Sequence, residues 1–112
     1  MDMVATMVIE NHIVDVEVPG PGLYEITGDL NERLKALQIE SGLMTLFIQH
    51  TSASLLIQEN ADPSAKRDLE VWLNRLVPEN DVIYSHVAEG ADDMPAHVKA
   101  MLTAVNLSIP IS

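Results

Sequence analysis

Residues 42–63, GLMTLFIQHTSASLLIQENADP, start as a strand that should bury itself and then turn polar. Alternation puts Met44, Leu46, Ile48 and His50 on one face and Leu43, Thr45, Phe47 and Gln49 on the other. The apolar and β-branched content from 43 to 58 predicts one long extended stretch, or two strands broken near Thr51, serving as the central strand of a sheet. His50, Thr51, Ser52 and Ser54 interrupt its apolar run. A buried imidazole needs partners for both nitrogens, and these hydroxyls can supply them. His50 therefore reads either as a satisfied histidine at a strand end or as part of a polar pocket wall.

The stretch closes on Asp62-Pro63, a helix start in which Asp caps free N–H groups and Pro suits the first helical position. Leu69, Trp72, Leu73 and Leu76 then form an apolar stripe, with Trp72 expected in the core and Pro78 beyond the helix end. Upstream, Val14, Val16 and Val18 alternate with Asp15 and Glu17, predicting a half-buried strand over 13–18 that PGPG at 19–22 terminates. Asp29 and Glu32 have capping-box spacing. With Ile26, Leu30, Leu34 and Leu37 on one stripe, they predict a helix running to about Ser41 and stopping at Gly42. Downstream, residues 82–86 (VIYSH) predict a short strand. Residues 89–95 predict a loop and cap, and Val98, Met101, Leu102 and Val105 the apolar face of a third helix before extended structure resumes. The expected fold class is α+β: one small domain over residues 1–112, with a mostly antiparallel sheet and helices packed on one side.

The net charge of −11 leaves Arg33, Lys35, Lys66, Arg67, Arg75 and Lys99 as the only cations, so the overall field repels polyphosphate backbones and argues against nucleic acid as a partner. An anionic small-molecule substrate would then need a helix N-terminus, a local cation or a bound metal. Lys66 and Arg67 are the cations nearest the HTSAS segment in sequence, but they read first as solubilising charges. No apolar run is long enough for a membrane span, and residues 1–12 lack a basic leader. The absence of cysteine excludes disulfides and thiolate metal sites. Together these features favour a cytoplasmic protein.

His86 closes the YSH segment and His97 lies near the start of the third helix, where partial positive charge disfavours imidazolium and favours the neutral ring a metal requires. Each histidine alone suits a core edge. His50, His86 and His97 together suggest a three-imidazole site with an open position, although their spacing matches no local metal motif. Asp62, Asp92 and Asp93 read first as helix caps. Glu59 and Asn60 are free to face a pocket, and Glu89 before Gly90 is either an orienting carboxylate or solvated.

The segments HTSASLLIQENADPSAKRDLEVWLNRLVPE, from His50 to Glu79, and YSHVAEGADDMPAHVKAMLTAVNLSIPI, from Tyr84 to Ile111, closely resemble the YjbQ-like family of secondary thiamine-phosphate synthases. The resemblance covers residues 11–112. It implies a small α/β fold assembled as a homotrimer, with polar pockets at subunit boundaries and, in some members, a metal. It also implies coupling of hydroxymethylpyrimidine pyrophosphate to thiazole phosphate with release of pyrophosphate. Carried onto this chain, it makes His50, His86 and His97 ligands of a divalent metal, Zn or Mg, or else of the substrate. Thr51, Ser52, Ser54, Asn60, Asp62 and Asp93 become substrate contacts, and Asn60 and Glu89 the candidates for a catalytic part. Members of the family continue beyond the point matching Ser112 with strands carrying a Gly-x-Trp-Gln-Gly-Ile type motif, so the expected sheet is incomplete here and any catalytic part of that segment is missing. Two other classes fit the same residues: a metal-dependent hydrolase, and a non-catalytic, metal-stabilised trimeric binding protein.

Overall fold

Strand β1 (Gly42–Phe47) pairs antiparallel with β2 (Asn106–Ile111), and three helices, α1 (Thr27–Ala36), α2 (Pro63–Leu76) and α3 (Asp93–Leu102), complete an α+β chain. The structure is a computed structural model that describes residues 7–59 and 61–112. In the ribbon Met44 faces Ile109 and Leu46 faces Leu107, which half-buries one side. The opposite side carries exposed Leu43 and Phe47, together with a Thr45–Ser108 hydroxyl hydrogen bond of 3.1 Å. Pro110 has no N–H to give a ladder, so a two-stranded ribbon suits β2 better than a sheet interior.

The extended stretch takes the broken form. Ile48 N–H still donates to Val105 O at 2.9 Å, but the Ser52 N–H turns back onto the His50 ring at 3.0 Å. Pairing resumes only at Leu55, which exchanges backbone bonds of 2.7 and 3.0 Å with Ala104. With β2 as its one ladder partner among the described residues, β1 is not the central strand expected.

Helix α2 begins as its sequence requires, with Asp62 Oδ1 accepting from Ser64 N–H at 2.9 Å and Ser64 Oγ–H at 2.8 Å. Its stripe half-buries Leu69 and Leu73, while Trp72 stays 60% exposed. The expected burial of Trp72 fails because no described element packs over that side of the helix. Helix α1 differs at both ends. Ile26 occupies the N-cap without a side-chain bond, so the Asp29–Glu32 capping box does not form, and Asp29 sits inside the first turn. The helix stops at Ala36 because Gln38 turns left-handed at φ 58°. Gln38 N–H then reaches Lys35 O, and Ile39 N–H reaches Leu34 O, each at 3.0 Å, closing a Schellman motif four residues before Gly42.

The strands expected over 13–18 and 82–86 are not formed. The first has no ladder partner among the described residues. In the second, Asp81 bonds locally to Ile83 N–H through Oδ1 and to Tyr84 N–H through its carbonyl, both at 3.1 Å, so a turn takes the groups a ladder needs. Helix α3 is tied to its surroundings by polar links: Lys99 Nζ donates to Asn74 Oδ1 at 2.6 Å, and Thr103 Oγ1 lies 2.5 Å from Ser54 Oγ. Val77 is the one buried apolar side chain in the described core apart from Pro95 on α3. No helix among the described residues is long and apolar enough to cross a membrane.

Candidate metal centre

The turn before α3 prepares the site. Gly90 adopts φ 111°, a conformation that side chains resist, and a Cβ there would lie 3.1 Å from Asp92 Oδ1. Asp93 N–H returns to Gly90 O at 3.3 Å, and α3 begins at once. Asp93 and His97 stand four residues apart on one helix face, while His86 arrives from the preceding segment. Asp93 Oδ2 lies 2.9 Å from His86 Nε2 and 3.1 Å from His97 Nε2, and Glu89 Oε2 lies 3.6 Å from His86 Nε2. The two rings meet edge to face with centroids 5.5 Å apart.

A backbone carbonyl decides the chemistry of His97. Thr51 O, 46 residues away in sequence, lies 3.1 Å from Nδ1 and can only accept, so Nδ1 carries a proton. In the neutral ring, Nε2 then presents a lone pair to the Asp93 carboxylate. Two acceptors at that distance require a cation between them or a second proton on the ring. Partial desolvation of Asp93 works against its ionisation, but a hydrogen bond shared with Glu89, one from His86, and the positive charge of the His97 and His86 rings when protonated outweigh it, holding the carboxyl below its ordinary range. Ligand atoms of His86, Glu89, Asp93 and His97 all lie within 4.8 Å of one another. Two imidazole nitrogens and two carboxylates suit a borderline divalent ion such as zinc better than magnesium, which prefers an all-oxygen shell. Exposed His86 and Glu89 leave one side open to solvent.

Of the residues expected at the site, His86 and His97 are brought together, joined by Glu89 and Asp93, while His50 stands outside this four-residue cluster. His50 Nδ1 accepts from Ser52 N–H and lies 3.0 Å from Ser52 Oγ. Thr51 contributes its carbonyl, Ser54 engages Thr103, and Asp62 is held by its cap. Asn60 lies outside the described residues. Asp93 is the hub rather than a peripheral contact. The i,i+4 spacing of Asp93 and His97 carries that signal, although in sequence the position suits a helix cap equally well. A shallow cavity of about 550 Å³ shares His97 with the cluster and is lined also by His50, Thr51, Phe47, Met101 and Val105; of these, Met101 and Val105 read in sequence as a helix packing face, and Phe47 as lying on the strand face opposite His50.

A small α+β protein with a histidine–carboxylate cluster at the start of its last helix is the class that fold and site define. The chain belongs to the YjbQ-like UPF0047 family, whose pattern it matches over residues 12–112. It is similar to a UPF0047 protein of Synechocystis sp., 40% identical over 107 residues and covering 96% of this chain and 73% of that one. It is also similar to the UPF0047 protein YjbQ of Salmonella typhimurium, 42% identical over 91 residues and covering 80% and 65%. Among solved structures, a conserved hypothetical protein of Thermus thermophilus aligns at TM-score 0.72 and 36% identity over 88% of this chain and 75% of that one. The chain thus spans roughly two thirds to three quarters of the length of these relatives.

Proposed function

We propose that the cluster of His86, Glu89, Asp93 and His97 holds a divalent metal and that the chain acts on phosphorylated small molecules, with thiamine-phosphate synthesis as the reaction its family resemblance implies. The observation that supports this reading is the 3.1 Å contact between His97 Nδ1 and Thr51 O, which in the neutral ring leaves Nε2 bare and 3.1 Å from Asp93. A bound metal would supply the positive charge that a departing pyrophosphate requires, in a chain of net charge −11 with six cationic side chains. In that reaction Thr51 orients the ligand imidazole, and Asp93 stays ionised and draws both rings to one point. The test is pyrophosphate release from hydroxymethylpyrimidine pyrophosphate and thiazole phosphate, measured with and without added zinc or magnesium. Release that depends on metal supports the reading; no release in either condition rejects the synthase activity.

One observation favours metal-dependent hydrolysis as a second reading. Glu89 is exposed beside His86 and placed to take a proton from a water molecule. Hydrolysis of a single phosphorylated precursor, without coupling, would select it.

We also propose that the working unit is a homotrimer. The chain exposes 9365 Å² at 12.3 kDa. A folded monomer of that mass exposes about 6,100 Å². The surplus of roughly 3,300 Å² per chain is surface that contact with further copies can bury. The radius of gyration of 18.0 Å exceeds the about 13 Å of a compact domain of this length. The absence of cysteine suits a cytoplasmic setting.

A further inference from the structure

The backbone from His50 to Ser52 sets two histidines in opposite tautomers. Ser52 N–H can only donate, and it points at His50 Nδ1 at 3.0 Å. That nitrogen is therefore bare in the neutral ring, and the proton resides on Nε2. One residue along, Thr51 O can only accept, and it fixes the proton of His97 on Nδ1. Both rings line the same cavity, whose remaining walls include Phe47, Ile48, Met101 and Val105. His97 thus offers a lone pair from Nε2, and His50 offers an N–H from the same position.

We propose that His50 is a hydrogen-bond donor, through Nε2–H, to an oxyanion bound at the cluster, and not a ligand of the metal. This rests on the metal-centre reading above and deepens it by giving the phosphorylated ligand a hydrogen-bond donor in this chain and an apolar wall, Phe47, Met101 and Val105, for its body. The chemistry divides cleanly. A metal needs the deprotonated nitrogen of a neutral ring, which the Nδ1–H form of His97 presents at Nε2. A phosphate oxygen needs donors, and the chain's negative charge leaves few of them. Ser52 Oγ, 3.0 Å from the same Nδ1, can strengthen the arrangement by donating to it as well.

The first measurement is tautomer assignment by long-range ¹H–¹⁵N imidazole correlation on the full chain at neutral pH. His50 is expected as the Nε2–H form and His97 as the Nδ1–H form. A His50 spectrum dominated by Nδ1–H overturns the inference whatever the metal result. The second is titration of the zinc-loaded chain with inorganic phosphate. His50→Ala is expected to keep the zinc stoichiometry and to weaken phosphate binding by about tenfold, the effect of removing one charged hydrogen bond. His50→Gln, whose amide nitrogen stands near the Nε2 position, is expected to retain more affinity than His50→Asn. Loss of zinc from both His50→Ala and His50→Gln makes His50 a ligand and overturns the inference, as does phosphate affinity unchanged in both. Failure of the wild-type chain to take up zinc, with His50 in the Nε2–H form, counts instead against the metal centre.

Discussion

Asp93 and His97 stand one helical turn apart on α3, with a carboxylate oxygen and a ring nitrogen 3.1 Å from each other. Because Thr51 holds one ring proton on the far nitrogen, that short distance is relieved either by a second proton on His97 Nε2 or by a divalent ion between the two groups. Removing the hub should therefore hurt metal binding more than removing a peripheral group. Asp93→Ala is expected to lower zinc affinity by more than about tenfold, and Asp92→Ala to leave it nearly unchanged, since Asp92 makes no side-chain cap bond. Competition titration against a fluorescent zinc chelator measures both; equal effects from the two substitutions would remove Asp93 from the centre.

The geometry also depends on a residue with no side chain. Gly90 at φ 111° delivers Glu89 on one side and Asp93 on the other. Gly90→Ala should destabilise the chain by about 1 kcal/mol or more, because an L residue resists that conformation. It should weaken zinc binding at the same time, because a backbone that leaves φ 111° shifts Glu89 relative to Asp93. Chemical denaturation and zinc titration read the two effects, and a variant as stable and as zinc-competent as the parent would show that the turn does not need glycine.

Acid should loosen α2 through its cap. The backbone bond from Ser64, joined by the Ser64 hydroxyl, lowers the Asp62 pKa below its ordinary 3.8, so the folded carboxyl ionises more readily than the unfolded one. Its contribution is thus fully present above pH 3.8 and is lost as pH falls through the depressed folded value. Asp62→Asn keeps a capping acceptor but removes the titration. Circular dichroism between pH 5 and about pH 2 is expected to show a smaller acid-dependent loss of helix in the variant. Identical acid profiles would mean that Asp62 does not control the helix end.

Assembly should cover the bare apolar faces. Trp72 is 60% exposed and Val82 98% exposed, although both are residue types that chains of this size usually cover. Sedimentation is expected to give a mass of three copies. Trp72→Ser or Val82→Lys is expected to shift the population toward smaller species if those faces meet a neighbour. A wild-type monomer at micromolar concentration would refute the trimer.

Some of this was legible in the residues alone. Asp62 before Pro63 forms the expected cap, the α+β class follows from strand-like and helical segments interleaved along the chain, and the ring centroids of His86 and His97 lie 5.5 Å apart. Other local signals were outcompeted. The Asp29–Glu32 spacing never closed into a capping box, Gly42 was pre-empted as a helix stop by left-handed Gln38, and Asp81 folded residues 82–86 into a turn. In the last two a neighbouring residue took the backbone groups first, while in the first the helix begins at Thr27 and leaves Asp29 inside its first turn, too late to cap it.

What the sequence determined by itself was short-range: one side chain satisfying a backbone group two or three residues away, as Asp62 does for Ser64, and the alternation that lets two strands pair. What only the tertiary structure decided was which nitrogen of each histidine bears the proton and which carboxylate the rings share. A carbonyl 46 residues from His97 sets its tautomer, and an i,i+4 acid that looked like a cap became the hub when His86 came to rest against it. Hydrogen-bond direction is fixed by whichever donor or acceptor the folded path brings within about 3 Å, and no spacing along the chain encodes that distance.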